Sequence, residues 1–237
     1  MVYLVGAGAG DVELLTLQAF KILKKAEVVL YDALVNPEIL KLCKQNTILI
    51  NVGKRKGKHL SKQEEINALL IKYGASFSTV IRLKGGTPFV FGRGYEEVRA
   101  LKKAYIEVKV LSGVSSTTAV PESFMIPLVD REFNDSYRTI TGHNIEVFNA
   151  IVTHYIPREN LVIMMGVYNL KAIVTSLLKK GFPKKTPLAI LSKGTTSEAS
   201  KIVLTLKVLM QKDENFFDEI KALTPAIIFV GNTIDVI

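Results

Sequence analysis

Apolar runs alternate with amphipathic stretches through the first half of the chain. The runs are short enough to be buried strands, and the stretches between them have helical spacing. Strands are predicted over residues 2–5, 27–31, 47–52, 80–83 and 107–111. Strands that alternate with helices form a mostly parallel sheet with helices on its faces, so this half predicts an α/β domain.

Local signals mark where several helices begin and end. Asn36 followed by Pro37 predicts a short helix, because asparagine caps a helix N-terminus and proline suits the first turn. Ser61 and Glu64 have the spacing of a capping box, which predicts an amphipathic helix that Gly74 ends. A further helix is predicted over residues 95–103.

The second half of the chain restarts with strands of its own. They are predicted over residues 137–141, 161–165, 187–191, 202–206 and 226–230. The last three lie close together in the chain, which indicates a mixed sheet, and a helix from Leu170 to Leu178 ends at Gly181. Residues 1–113 and 128–237 are therefore predicted as two α/β domains, with a linking helix over 114–127 punctuated by Pro121 and Pro127.

The composition is that of a globular protein with a basic surface. Of the 237 residues, 48% are hydrophobic and 22% are charged, and the formal net charge of +9 favours anionic partners. No apolar run reaches the ~18–20 residues that a membrane span needs, so no membrane partner is expected. The lone Cys43 suggests a reducing, cytoplasmic compartment, and three histidines without close pairing predict no metal site.

Residues 80–94, VIRLKGGTPFVFGRG, carry the clearest sign of a ligand site. Adjacent glycines after a strand let a ligand lie against bare main chain, and open α/β sheets bind ligands at the carboxyl ends of their strands. A lone Gly85-Gly86 pair would equally suit an ordinary turn. Lys84 and Arg93 flank the apolar tripeptide, and a second glycine turn follows, so a ligand loop is predicted.

The first glycine turn fails as a dinucleotide site. Gly6, Gly8 and Gly10 look at first like the G-x-G-x-x-G pattern, whose third glycine would be residue 11, and Asp32 lies at the distance of a ribose-binding acid. The pattern breaks because Asp11 would place a carboxylate against a pyrophosphate at the helix start. A ligand without phosphate fits better, and a cofactor that carries a sulfonium would tolerate this acid.

Seven segments occur together in an order and spacing shared with one family. They are VGAGAGDVELLTL, VVLYDALV, VGKRKGKHLSKQEEIN, VIRLKGGTPFVFGRGYEE, SGVSS, IPLVDRE and TGH. In these segments the chain resembles the uroporphyrinogen-III C-methyltransferases, which belong to the tetrapyrrole methylases. The resemblance implies two α/β domains with the active site in the cleft between them, and a homodimer. It implies two successive methyl transfers from S-adenosylmethionine to uroporphyrinogen III, which yield precorrin-2 for sirohaem or cobalamin.

The resemblance also implies which residues form the site. Asp32 matches the family's proton acceptor and Lys54 its proton donor. Asp32 could instead cap a strand end, and Lys54 could be a solvated charge that binds a substrate carboxylate. The residues expected to bind the cofactor are Ala9, Gly85, Gly86, Thr87, Val90, Ser115, Ser116, Met165 and Gly194.

Uroporphyrinogen III carries eight carboxylates, so binding of this substrate would explain the basic net charge of the chain. Arginine forks match carboxylates, and Arg93 and Arg131 lie within matched segments, so these two are the foremost substrate-binding candidates. Any one basic residue could instead be a solvated surface charge. The remaining candidates are Arg55, Lys56, Lys58, Arg82 and Arg138.

Several positions depart from the family pattern. Ala9 and Ser112 stand where proline is usual, Thr87 stands for aspartate, and Val129-Asp130 stands for Thr-His. Thr87 removes a carboxylate beside the cofactor loop, and Asp130 adds a negative charge where an anionic substrate is expected.

Three other functions stay open at this point. The first is methylation of a later precorrin of the corrin pathway. The second is a degenerate relative that binds cofactor or tetrapyrrole without turnover, which the Thr87 and Asp130 departures keep open. The third, from a different class, is a basic nucleic-acid-binding protein organised around residues 54–58. The family resemblance favours the methyltransferase, with no nucleic-acid partner.

Overall fold

The computed structural model describes residues 1–53 and 63–234. The chain divides into two compact units, Met1–Ser116 and Thr117–Ile237, and each contains one sheet covered by helices. The predicted α/β class with two α/β domains is confirmed. The predicted role of residues 114–127 as a linker stays a prediction.

Five parallel strands form the sheet of the first unit, as the alternation of strands and helices predicts. They are, in chain order, Val2–Gly6 (β1), Val28–Tyr31 (β2), Ile48–Asn51 (β3), Val80–Lys84 (β4) and Val108–Leu111 (β5). Their order across the sheet is β3-β2-β4-β1-β5, and every neighbouring pair is parallel. All five carboxyl ends therefore lie along one edge.

Helices cover both faces of this sheet. In the described part of the unit they are Leu17–Leu23 (α1), Pro37–Leu40 (α2), Gln63–Ser76 (α3) and Gly94–Lys103 (α4), with a 3-10 turn at Val12–Leu14. On one face, Leu23 of α1 packs with Val29 and Leu83 of the sheet. On the other, Leu70 of α3 and Leu101 of α4 pack in one cluster with Leu4 and Leu30. The two clusters use alternate residues of the same strands, as the two-residue period of a strand requires.

Of the sequence signals predicted to begin or end helices in the first unit, one is confirmed, one is wrong and one lies outside the described residues. The Asn36 side chain accepts a hydrogen bond from the Glu38 amide at the start of α2, so the predicted cap is confirmed. The prediction that Gly74 ends α3 is wrong, because the helix continues to Ser76. A Cβ at Gly74 would lie 2.8 Å from Val2 Cγ2, so this glycine allows close packing within the helix. Ser61 of the predicted capping box lies outside the described residues.

The second unit contains a mixed sheet, as predicted from its closely spaced strands. Its strands are Ser136–Thr141 (β6), Glu159–Met164 (β7), Pro187–Ser192 (β8), Ser200–Thr205 (β9) and Ala226–Val230 (β10). Their order is β6-β7-β10-β8-β9, with β6 and β7 parallel and the other pairs antiparallel. Because β10 runs against both β7 and β8, the carboxyl ends of β6, β7 and β8 share one edge.

Helices on one face of this sheet enclose the larger core of the unit. The described helices are Ser116–Ser123 (α5), which begins at the unit boundary, Ile145–Ile151 (α6), Leu170–Lys179 (α7), Leu206–Met210 (α8) and Glu214–Ala222 (α9). Phe148, Ile173, Leu209 and Phe217 of α6 to α9 form one buried cluster with the sheet. Val120 of α5 belongs to a second cluster. Over residues 1–53 and 63–234, every helix is too short or too polar to cross a bilayer.

Candidate functional site

The carboxyl edge of the first sheet is built from glycines in close contact. A Cβ added to Gly6 would lie 2.5 Å from the Gly113 amide nitrogen and 2.6 Å from the Gly86 carbonyl oxygen. Gly86 donates a 2.7 Å hydrogen bond to the Gly8 carbonyl, and Gly8 donates a 3.2 Å bond to the Gly86 carbonyl. The turns after β1, β4 and β5 therefore form one tightly packed main-chain edge.

Several predicted cofactor residues meet at this edge. Ala9 follows Gly8 directly, within the turn that is bridged to Gly86. The Thr87 Oγ1 accepts a 3.5 Å hydrogen bond from the Gly113 amide. The Ser116 amide nitrogen lies 3.8 Å from the position that a Cβ on Gly86 would occupy, and Ser115 precedes it. The structure thus brings together residues that are far apart in the chain.

The same edge leaves uncovered main chain and exposed apolar groups. Among the described residues, a Cβ on Gly85 would meet the Leu34 Cβ alone, at 3.6 Å, which is an ordinary contact distance. Leu34 is 68% exposed, and Val90 of the following loop is 40% exposed. Bare main chain beside apolar side chains suits a flat aromatic ring and a short aliphatic tail. These residues therefore fit S-adenosylmethionine, whose adenine and methionine parts have this chemistry.

Asp32 follows β2 at this edge and belongs to a cluster of four charges. Its Oδ1 accepts a 2.5 Å hydrogen bond from Arg82 Nη2, and its Oδ2 lies 3.7 Å from Lys84 Nζ. Arg82 Nε also donates to Glu97 Oε1 at 2.9 Å, and Lys84 Nζ donates to the same oxygen at 3.2 Å. Asp32 is the most exposed member, with 30% of its side chain accessible, so it alone can reach a ligand readily.

Three elements position these charges. Arg82 and Lys84 are two residues apart in β4, so they lie on the same face of the sheet, the face that α4 covers. The backbone amide of Asp32 donates to the Leu83 carbonyl, which holds the end of β2 beside β4. Glu97 of α4 is fully buried, and its Oε2 has no hydrogen-bond partner among the described residues. Burial lowers the pKa of Lys84, and the nearby Arg82 lowers it further.

The structure corrects the role expected for Arg82 and adds Glu97 to the site. Arg82 is predicted to receive a substrate carboxylate, but its side chain is 2% exposed and engaged by Asp32 and Glu97, so that prediction is wrong. Glu97 is absent from the predicted site. The sequence does hold a signal for it, because Gly94, Glu97, Val98 and Leu101 have the spacing of one buried helix face.

The two substrate-binding candidates are both exposed. Arg93 directly precedes α4 with a left-handed backbone, φ 55°, and its Nε and Nη2 donate to the two carboxylate oxygens of Glu96 at 2.8 and 2.7 Å. These hydrogen bonds lower the pKa of Glu96. Arg131 lies on the surface of the second unit, where its carbonyl accepts a 2.9 Å hydrogen bond from Arg158. Lys54, the predicted proton donor, lies outside the described residues.

Met165 and Gly194 lie on the same edge of the second sheet. Met165 follows β7 in a left-handed conformation, φ 56°, and remains half-exposed. Gly194 follows β8, and a Cβ there would lie 2.6 Å from Val120 Cγ1, so this glycine has a packing role in its own unit. Both turns lie at this edge because β7 and β8 run in the same direction, each antiparallel to β10 between them.

Thr87 and Asp130, two of the residues that depart from the family pattern, both form local hydrogen bonds. The hydroxyl of Thr87 supplies an acceptor to Gly113, which a carboxylate would also do. The Asp130 carboxylate accepts a 2.9 Å hydrogen bond from the Glu132 amide, and its own amide donates to Asn134 Oδ1 at 2.8 Å, so Asp130 forms part of a turn. No group of three or more histidine, cysteine or acidic residues that could hold a metal occurs in the described ranges.

Known proteins match this chain along most of its length. Residues 1–209 match the family described as tetrapyrrole (corrin/porphyrin) methylases. A protein of Methanocaldococcus jannaschii named uroporphyrinogen-III C-methyltransferase is 42% identical, over 100% of this chain and 97% of its own. A siroheme synthase of Baumannia cicadellinicola is 40% identical over 99% of this chain, but this chain spans only 50% of that relative's length.

A solved structure matches the fold closely. The crystal structure of uroporphyrin-III C-methyl transferase from Thermus thermophilus complexed with S-adenyl homocysteine has a TM-score of 0.83 with this chain and 33% sequence identity. The match covers 100% of this chain and 99% of the other. Sequence and structure comparisons therefore point to the same group of proteins.

Proposed function

Because the chain belongs to the tetrapyrrole (corrin/porphyrin) methylases, we propose that it transfers methyl groups from S-adenosylmethionine to carbon atoms of uroporphyrinogen III. The expected product is precorrin-2, after two successive transfers. The observation that carries the proposal is the 42% identity to a protein of that named activity over the whole chain. The uncovered, glycine-lined edge of the first unit supports it independently of sequence identity.

Most of the rate enhancement is expected to come from positioning the two reactants, and less of it from acid–base catalysis. When bound, S-adenosylmethionine supplies an electrophilic methyl group on a sulfonium. The chain must hold an electron-rich carbon of the tetrapyrrole in line with that group, and such positioning supplies much of a rate enhancement. The bare main chain at Gly85 and Gly86, with Leu34 and Val90, supports the cofactor half of this task. We assign further cofactor contacts to Ala9, Thr87, Ser115, Ser116, Met165 and Gly194.

Asp32 is the proposed proton acceptor. A carbon that gains a methyl group gives the macrocycle a positive charge, and a proton must then leave to restore neutrality. A positioned carboxylate can take such a proton. The ion pairs of Asp32 fix its orientation, and its partial exposure at the carboxyl edge leaves it accessible. Lys54 remains the proposed donor.

Exposed cations are proposed to receive the carboxylates of the substrate. Arg131 can offer a planar guanidinium, which binds a carboxylate with two parallel hydrogen bonds. Arg93 would do so by exchanging Glu96, to which its Nε and Nη2 donate, for a substrate carboxylate. The net charge of +9 favours approach of an anionic tetrapyrrole. We further propose that the protein is cytoplasmic, acts as a homodimer and binds neither nucleic acid nor membrane.

The test is anaerobic incubation of the purified protein with uroporphyrinogen III and S-adenosylmethionine, with products identified by mass. We expect a gain of two methyl groups. Gly85→Arg should abolish the transfer, because its side chain enters space where, in the part of the chain that the structure describes, an added Cβ meets Leu34 alone. Gln211→Arg, at an exposed position of the second unit, is the matched control and should keep full activity.

Each remaining result rejects part of the proposal. Binding of S-adenosylhomocysteine without transfer would mean that uroporphyrinogen III is not the substrate, and a later precorrin would be tried next. Absence of both binding and transfer would reject the methyltransferase function. Full activity of a folded Gly85→Arg variant would reject the assignment of the cofactor to this loop.

A further inference from the structure

We propose that Arg82 and Glu97 are positioning residues for the reaction, and that together they fix the Asp32 carboxylate at the carboxyl edge of the first unit. The inference rests on the proposed function, in which Asp32 accepts a proton. Neither residue is offered as a group that touches the substrate, because both side chains are almost completely buried.

The guanidinium of Arg82 is held on every nitrogen. Nε donates to Glu97 Oε1 at 2.9 Å and Nη2 to Asp32 Oδ1 at 2.5 Å. Nη1 donates to the Leu83 carbonyl at 3.1 Å and lies 3.4 Å from the Leu30 carbonyl. A planar fork fixed in this way can present only one orientation to Asp32. The carboxylate of Asp32 is thereby aligned by a group whose own orientation is set by Glu97 and two backbone carbonyls.

The fold alone does not account for these charges. Replacing a buried ion pair with apolar residues of similar volume is often neutral or stabilising, so a buried pair is weak evidence for a stability role. Arg82 and Glu97 are neighbours in sequence of apolar residues of β4 and α4 that belong to one buried cluster, among them Val80, Val98 and Leu101. An apolar pair at these two positions could not donate hydrogen bonds, so it could not orient the partly exposed Asp32 carboxylate.

Glu97 also sets the charge balance of the cluster. Arg82 and Lys84 are two cations, and Asp32 and Glu97 are two anions, so the cluster is neutral before Asp32 accepts a proton. Without Glu97, two buried cations would face Asp32 alone, and an added proton would raise the local charge to +2. Because like charges repel strongly where water is excluded, loss of Glu97 should make proton acceptance less favourable.

The experiment compares the double variant Arg82→Met/Glu97→Leu with the wild-type chain. It removes one cation and one anion, so the remaining pair of Lys84 and Asp32 stays neutral, and Lys84 loses its hydrogen bond to Glu97 but keeps Asp32 Oδ2 at 3.7 Å. The matched control is Glu38→Leu/Lys41→Met, which removes an exposed ion pair from the same unit. For each protein we would measure the melting midpoint, the binding of S-adenosylhomocysteine by calorimetry, and kcat and KM for methyl transfer.

The double variant should melt at or above the wild-type temperature and bind S-adenosylhomocysteine normally. Its kcat should fall about 10²-fold, the usual effect of a small misplacement of a reacting group, with KM for S-adenosylmethionine unchanged. Arg82→Lys, which keeps the charge but not the fork, should have an intermediate kcat. If the double variant does not fold, Glu97→Gln takes its place, because it retains the shape of Glu97. The same fall in kcat without a change in KM is then expected.

The outcomes separate this inference from the proposed function. If the wild-type chain transfers no methyl group, the proposed function fails and the inference fails with it. If the wild-type chain is active and a folded double variant has the same kcat, only the inference fails. A loss of activity that merely parallels a loss of folded protein or of S-adenosylhomocysteine binding would also overturn it, because a purely structural role would explain that result.

Discussion

A methyl group added at Gly113 tests the close packing of the glycine edge. The Cβ of Gly113→Ala would lie 2.2 Å from the Gly86 carbonyl oxygen and 2.7 Å from Gly6 Cα, far inside the 3.0 Å that real Cβ contacts respect. These obstacles are main-chain atoms of two other turns, so no side chain can rotate away. Overpacking costs about 1–3 kcal/mol, and the rigidity of the obstacles places Gly113→Ala at the upper end.

A cost of about 3 kcal/mol in a chain of this size lowers the melting midpoint by roughly 6–12 °C, at about 2–4 °C for each kcal/mol. Gly85→Ala is the internal comparison, because over residues 1–53 and 63–234 its Cβ would meet Leu34 Cβ alone, at 3.6 Å. Its stability should remain within about 0.5 kcal/mol of the wild type. Thermal melts and urea titrations of both variants would be run side by side with the wild-type chain. Equal midpoints for Gly113→Ala and Gly85→Ala would refute the close approach of the three turns.

Two further predictions concern the core of the second unit and the single thiol. Phe148→Ala should lower the free energy of unfolding by about 3–5 kcal/mol in urea titrations, because the ring is fully buried. Val147→Ala, at an exposed neighbour, should cost far less, and equal costs would contradict the assigned core. Burial raises the pKa of the Cys43 thiol above its ordinary 9.0, so reaction with a thiol-specific disulfide reagent should still be accelerating above pH 9. A rate that levels off below pH 9 would contradict this, and no other cysteine can contribute to the signal.

The fold was predictable wherever a local pattern decided the structure. Short apolar runs that alternate with helices predict the five parallel strands, because burial on both faces demands such runs. The end of α3 was not predictable from Gly74, because that glycine is fixed by contacts with Val2 and Ile106, which are distant in the chain. The short helix α8 was also missed, since its five residues give too little periodicity to recognise.

The sequence predicted the main-chain turns of the site, but it did not predict how the charged side chains pair. Glycines after β1 and β4 indicate a ligand edge because only they permit such close turns. The burial of Arg82 depends on Glu97, which comes from a different element and has no motif linking it to β4. A charged residue on an apolar helix face could have signalled this pairing, but the identity of its partner depends on tertiary structure.

The four-charge cluster also constrains how this sequence can change over generations. An apolar replacement of Glu97 alone leaves Arg82 and Lys84 facing one carboxylate, and an apolar replacement of Arg82 alone leaves Glu97 and Asp32 sharing Lys84 as their one cation within the cluster. Breaking a buried pair on one side costs about 3–5 kcal/mol, a large part of the ~5–15 kcal/mol that keeps a protein folded. Descendants can therefore leave this arrangement only through paired substitutions that cross a poorly folded intermediate. The cluster should therefore persist in relatives that have changed substrate. Finding the same four charges in a related chain would indicate common descent, and would not by itself show that the chain has the same activity.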